Sequence, residues 1–241
     1  EETLYSADAF GSFGALNGNI FADESTPDMS EYRRYYTNIV GKYGVQVKAL
    51  LNKAQSLRIS MICPLHGLIW RKDIDNLIQK YAKWSAYEPE IKGVLIAYSS
   101  VYGNTQSAAE IVANRLGEQG VKNIQMYDVS VTHPSYVVAE AFRYSHIVFA
   151  TTTYNGGIFV TMENLLLDLK AHNLQNRAVA LIENGTWAAT AAGQMKNILS
   201  SMKGMNVIAN PVTLKSSVKP EKRDELIALA DAICETLKKR Y

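Results

Sequence analysis

From residue 91 onward, short apolar runs alternate with longer segments in which apolar residues return every three or four positions. The first pattern predicts strands at 94–98, 124–127, 146–151, 178–183 and 206–214; the second predicts helices at 105–118, 135–143, 159–171, 190–202 and 220–238. Ala108, Ile111, Val112 and Leu116 share one face of the first helix, which ends near Gly117 and Gly120. The last helix is expected to bury Leu226, Ile227, Leu229, Ala230 and Ile233. It turns basic at Lys238-Lys-Arg240, which complements the negative end of a helix dipole. Strands that alternate with helices predict an α/β fold, a doubly wound five-stranded parallel sheet. The expected strand order is 2-1-3-4-5, with a ligand at the carboxyl ends of the first and third strands, where the order reverses.

Residues before 91 are patterned differently. Thr3 to Ser6 predicts a strand, and residues 15–29 show no period and predict a loop. Ser30 to Gly41 and Val45 to Ala54 predict helical stretches interrupted at Gly44. An apolar strand from Ile59 runs into Pro64, and Asp73 to Tyr87 predicts an amphipathic helix with Ile74, Leu77, Ile78, Tyr81 and Trp84 on one side. Tyr87-Glu-Pro-Glu90 reads as a linker, so the expected domains are 1–90 and 91–241.

Composition narrows the function classes. A chain of 241 residues can bury a sound core in one large or two modest domains. The net charge is only +2 with both signs interspersed, which leaves no footprint for nucleic acid. No apolar run reaches membrane-spanning length and there is no signal peptide, so no membrane association is expected. Cys63 and Cys234 form no CxxC pair and fit a reducing, cytoplasmic setting. The chain opens on Glu1 rather than methionine, and it is expected to be a piece of a longer product.

Three polar loops follow predicted strands. Ser99-Ser-Val-Tyr-Gly-Asn-Thr105 crowds hydroxyl, amide and backbone donors before a helix, the arrangement of an anion site. It has no lysine for a Walker loop and only one glycine, Gly103, for a dinucleotide fingerprint. A helix cap with no ligand is the plainer reading. Thr151-Thr-Thr-Tyr-Asn-Gly-Gly157 follows the third strand; a turn explains its glycines, but not its run of hydroxyls. Asn184-Gly-Thr-Trp187 follows the fourth, with Trp187 explained either by a flat ligand or by core packing. Nearer the start, Asp8-Ala-Phe-Gly-Ser-Phe-Gly14 and Cys63-Pro-Leu-His-Gly-Leu-Ile-Trp70 place an acid and a histidine at strand tips. Each alone is read as a turn residue.

The loop from Ser99 to Thr105 resembles the phosphate loop of the flavodoxin family, with Val101 in place of a commoner hydroxyl residue. That resemblance implies a noncovalent FMN. Its phosphate would lie on Ser99, Ser100, Val101, Tyr102, Gly103, Asn104 and Thr105. Its ribityl and ring would lie on Thr151, Thr152, Thr153, Tyr154, Asn155, Gly156 and Gly157, and on Asn184, Gly185, Thr186 and Trp187. Together with the Asp8 and His66 stretches, the whole chain resembles the C-terminal part of the flavodiiron proteins. Those join a metallo-β-lactamase-like αββα domain to a flavodoxin-like one. The resemblance implies Asp8 as the carboxylate bridging two irons and His66 as the last histidine ligand, but the family's His-x-Glu-x-Asp-His motif is absent here. It also implies passage of electrons from FMN to a non-haem diiron centre that reduces dioxygen or nitric oxide. A rubredoxin-like or flavoprotein donor and a head-to-tail homodimer or tetramer are implied too. The remaining iron ligands would come from a separate N-terminal fragment or a longer parent chain. The rival expectation is a flavodoxin-like electron-transfer module with no catalytic metal of its own.

Overall fold

The computed structural model of the protein describes residues 2–239; Glu1 and Arg240, both invoked above, lie outside the described residues. The chain divides into two units, Glu1–Glu88 and Pro89–Tyr241.

The first unit carries β1 (Thr3–Ala7), α1 (Met29–Tyr35), α2 (Gly44–Ala54), β2 (Met61–Pro64) and α3 (Ile74–Ser85). The two strands pair in parallel, Leu4 opposite Ile62 and Ala7 opposite Pro64. This register brings both strand tips, and the loops that follow them, to one end. α1 begins on Asp28, whose carboxylate accepts the Ser30 N–H at 2.9 Å and so caps an orphan helix donor. The helix does not stop at Gly41; it loosens into a π turn over Tyr36–Val40 and a 3-10 turn over Gly41–Tyr43. Gly44 is not a break either. It opens α2, and a Cβ there would lie 2.6 Å from the Ser85 carbonyl and 2.9 Å from the Tyr87 ring. Tyr87 therefore belongs to the core and not to a linker. It is buried, and its hydroxyl donates to the Gly41 carbonyl at 3.0 Å. On α3 the expected stripe buries Leu77, Tyr81 and Trp84, whereas Ile74 and Ile78 stay half-buried. Tyr81 and Trp84 pack against Tyr36 with centroids 4.9 and 5.2 Å apart.

The second unit carries β3 (Ile91–Tyr98), α4 (Asn104–Glu118), β4 (Ile124–Asp128), α5 (Pro134–Arg143), β5 (Tyr144–Tyr154), β6 (Gly157–Ile158), α6 (Val160–Ala171), β7 (Ala178–Asn184), α7 (Ala191–Ser200), β8 (Asn206–Val207), β9 (Val212–Leu214) and α8 (Pro220–Lys239). The parallel sheet runs β4-β3-β5-β7, and the far edge of β7 carries β8 and β9. The single strand expected over 206–214 is thus two short ones. Pro211 sits in the gap and has no N–H to give a ladder.

β5 runs three residues past its expected end and folds back on β6, with Thr153 opposite Ile158 and Tyr154 opposite Gly157. Asn155 (φ 50°) and Gly156 (φ 73°) make the two-residue turn, both left-handed as a type I′ hairpin requires. α4 and α8 cover the sheet face formed by Val94, Ile96, Val148, Ala180 and Ile182. On these helices Ile111 and Ile227, expected inside, are only half-buried; Ala109 and Cys234 are inside instead.

Arg177 is the most deeply buried charged side chain described in this unit. Arg177 is fully buried and donates to the carbonyls of Ala141 (2.9 Å), Phe142 (2.6 Å) and Gln175 (2.7 Å), so it caps the end of α5.

Candidate functional site

Because β3, β5, β7 and β9 are parallel, their carboxyl ends deliver four loops to one edge of the second unit. The first loop turns from Tyr98 into α4 through Gly103, whose φ of +83° is left-handed and faces open space. The leading N–H groups of a helix have no partner inside it, and they sit beside this loop. Two hydroxyl pairs fasten the first loop to the end of β5. Ser99 Oγ lies 2.7 Å from Thr151 Oγ1, and Thr105 Oγ1 lies 3.1 Å from Thr152 Oγ1. Ser100 Oγ is buried and has no hydrogen-bond partner in the protein. A buried hydroxyl left open in a native fold is costly unless a ligand or water meets it.

These loops enclose a cavity of about 220 Å³. From the first loop it is lined by Ser100, Val101, Tyr102, Asn104 and Thr105; from β5 by Thr152, Thr153 and Tyr154; from the loop after β7 by Asn184, Gly185 and Thr186. A second hollow of about 670 Å³ adjoins it through Thr153, Tyr154, Gly185 and Thr186, and adds Asn155, Gly156, Trp187 and Ala188.

Ser99, Gly103, Thr151 and Gly157 line neither space. Ser99 and Thr151 are wholly buried and bonded to each other, and Gly157 is a strand residue of the hairpin. The Asn-Gly pair makes the tight turn of the hairpin. Its Gly156 carbonyl accepts from Thr190 Oγ1 at 3.0 Å and Gln194 Nε2 at 2.8 Å. Thr153 Oγ1 is likewise committed, accepting the Thr190 and Ala191 N–H groups at 3.1 and 3.2 Å and capping α7. Trp187 is 97% exposed, so core packing does not explain it.

Two residues escape the sequence reading. Glu183 is buried and accepts from Ala192 N–H (2.7 Å) and Thr213 Oγ1 (2.8 Å), tying α7 and β9 to the end of β7. Ser216 lines the cavity from the loop after β9. The run Lys215-Ser-Ser217 after the last strand was the available signal.

In the first unit the strand register brings Asp8 and His66 together, with His66 Nε2 3.7 Å from Asp8 Oδ1 and both side chains more than half exposed. The Tyr35 hydroxyl donates to Asp8 Oδ1 at 3.0 Å, and its ring centroid stands 5.8 Å from that of His66. Burial, and then the Asp8 bond and charge, push the Tyr35 phenol up to about 12. A phenol raised in the fold stabilises it fully below its unfolded value of about 10 and loses that contribution as pH rises through the folded value. Tyr35→Phe is therefore expected to lower stability by about 1 kcal/mol at pH 8. It should also shrink the alkaline loss between pH 10 and about 12, read by urea unfolding at several pH values. An unchanged alkaline profile contradicts the assignment. Asp8 and His66 are donors that suit a non-haem iron. Among the described residues, however, no group of three or more His, Cys, Asp or Glu could hold a metal ion, so these residues alone do not fit a diiron pair.

The flavodoxin family profile matches residues 96–228, which takes in the four loops. The chain belongs to the flavodoxin family. Its likeness to larger proteins extends through the first unit as well. The nitric oxide reductase of Moorella thermoacetica is 28% identical over 88% of this chain and 53% of its own length. The structure of rubredoxin oxygen:oxidoreductase from Desulfovibrio gigas matches 99% of this chain and 60% of its own at 26% identity, with a TM-score of 0.91. The flavodiiron protein of Giardia intestinalis shares the fold over 99% of this chain and 60% of its own, with a TM-score of 0.89 and 21% identity. The chain thus matches the flavodiiron proteins through both units, and it spans about half the length of the curated relatives it matches. No described helix is long and apolar enough to cross a membrane.

Proposed function

We propose that the flavodoxin unit binds FMN at the four-loop edge, and that the chain is the flavin-bearing part of a flavodiiron-type oxidoreductase. The observation that carries the flavin reading is the buried, unpartnered Ser100 Oγ at the mouth of α4, inside a cavity walled by three of the expected loops. Ser100, the leading N–H groups of α4 and Asn104 hold the phosphate, and the positive end of the helix favours its charge. Thr105 and Thr152 are bonded to each other and set the width of the slot. Asn184, Gly185 and Thr186 lie along the ring edge, and Tyr102 and Trp187, 90% and 97% exposed, flank the ring and shield it from water. When bound, FMN would supply single-electron transfer, and in a flavodiiron-type protein the electrons would go to a non-haem diiron centre that reduces dioxygen to water or nitric oxide to nitrous oxide.

Asp8 and His66 would furnish one edge of such an iron pair, with Tyr35 orienting Asp8 through its hydroxyl; the pair would need further donors besides these two. The first unit is read as part of an αββα metallo-β-lactamase-like domain. The electron donor is of rubredoxin or flavoprotein type; the name of the Desulfovibrio gigas structure includes the first of these. A head-to-tail pairing of copies brings one flavin edge to another copy's irons.

The direct test is titration of flavin-free protein with FMN, followed by quenching of flavin fluorescence. One FMN per chain with micromolar or tighter affinity is expected, and no binding removes the reading. Trp187→Ala is expected to weaken FMN about tenfold, as loss of one stacked aromatic does, or to shift the flavin potential. No change in either frees Trp187 from this role.

A further inference from the structure

We propose that Ser216, on the loop after β9, is a fourth-loop ligand of the flavin phosphate, supplying a hydroxyl that the first loop lacks at Val101. The inference rests on the FMN reading above. Val101 lines the cavity with an apolar side chain, so between Ser100 and Asn104 the first loop offers no side-chain donor but the tyrosine hydroxyl of Tyr102, which is 90% exposed. Ser216 enters the same cavity from another strand, and its Oγ accepts from Asn104 Nδ2 at 3.4 Å. That bond engages a lone pair and leaves the hydroxyl hydrogen free to donate, as an anion requires.

The position is held by the protein rather than left to chance. Ser216 has a φ of 66°, a left-handed conformation that a serine seldom adopts. Asn184, itself buried, fixes it from both sides. Asn184 Nδ2 donates to the Ser216 carbonyl at 2.8 Å, and the Ser216 N–H donates to Asn184 Oδ1 at 2.9 Å. The Gly185 N–H adds a bond to the Leu214 carbonyl at 3.1 Å. Backbone strain kept in place by a dedicated clamp is a mark of a functional position. The same loop carries Lys215 and Lys219, which favour an anionic ligand. Asn184 thereby acts as a positioning residue: it joins the loop expected at the ring edge to the loop that reaches the phosphate.

The test compares FMN with riboflavin, which has the ring and ribityl chain but no phosphate. Ser216→Gly removes the hydroxyl, tolerates the left-handed backbone and keeps the clamp, which uses only backbone atoms of residue 216. Titration of flavin-free wild type, Ser216→Gly and the double variant Val101→Ser with Ser216→Gly reads both affinities, with circular dichroism as a check of folding. In Ser216→Gly, FMN is expected to weaken about tenfold while riboflavin changes less than about twofold, the cost of one hydrogen bond to a charged group. The double variant is expected to recover part of the FMN loss, and the phosphorus resonance of bound FMN should move in Ser216→Gly. Equal weakening of both flavins, or no weakening of FMN, overturns the proposal. Wild type that binds neither flavin overturns the reading beneath it instead.

Discussion

Ser100→Asp is expected to abolish FMN capture, with circular dichroism as the check that the variant is folded. The substitution puts a carboxylate where a buried hydroxyl now has no partner. A phosphate monoester carries about −1.5 to −2 charges at neutral pH. Two unit charges about 4 Å apart repel by about 4 kcal/mol at the effective dielectric of a protein edge. Affinity should fall about a thousandfold or more, beyond what removal of one hydrogen bond by Ser100→Ala would cost. Riboflavin lacks the phosphate, so its affinity should suffer far less. Parallel titrations with the two flavins check this. If FMN bound Ser100→Asp as tightly as wild type, the phosphate would have to sit elsewhere.

The largest expected loss of stability comes from Arg177→Met. The guanidinium satisfies carbonyls of Ala141, Phe142 and Gln175 in a fully buried place. Each buried acceptor left open costs about 1–3 kcal/mol, and methionine can fill much of the space but donates nothing. Relief from burying a cation offsets part of this. A net loss of about 3–5 kcal/mol is expected, or roughly 10 °C in the melting temperature of a chain this size. Arg177→Lys should rescue little, since one ammonium cannot span carbonyls spread around a planar fork. A melting temperature within a degree or two of wild type would show that these carbonyls find other donors.

The alternation of strands and helices after residue 90 was legible because each period reports a local geometry, and buried parallel strands read as compact apolar runs. The break at Pro211 could have been read from the missing N–H, but the apolar residues on both sides suggested one strand. Gly44 and Tyr87 were misread because their meaning is tertiary: the glycine makes room for a ring 43 residues away, and the ring bonds back. At the candidate site the loops were visible, while the uses of their hydroxyls were not. Ser99 and Thr151 face each other under the floor, and Thr153 caps α7. A serine pattern says that hydroxyls are present, not which ones are already spoken for. Ser216 was missed because its loop follows a three-residue strand, and only the sheet's register brings it to the cavity.

The hairpin at Asn155-Gly156 has a consequence for how fast a ligand can be taken up. Its two strands and its anchors on Thr190 and Gln194 leave this wall little freedom to surrender on contact. Uptake should therefore look like docking into a ready slot, with a single kinetic phase in stopped flow whose rate rises linearly with flavin concentration.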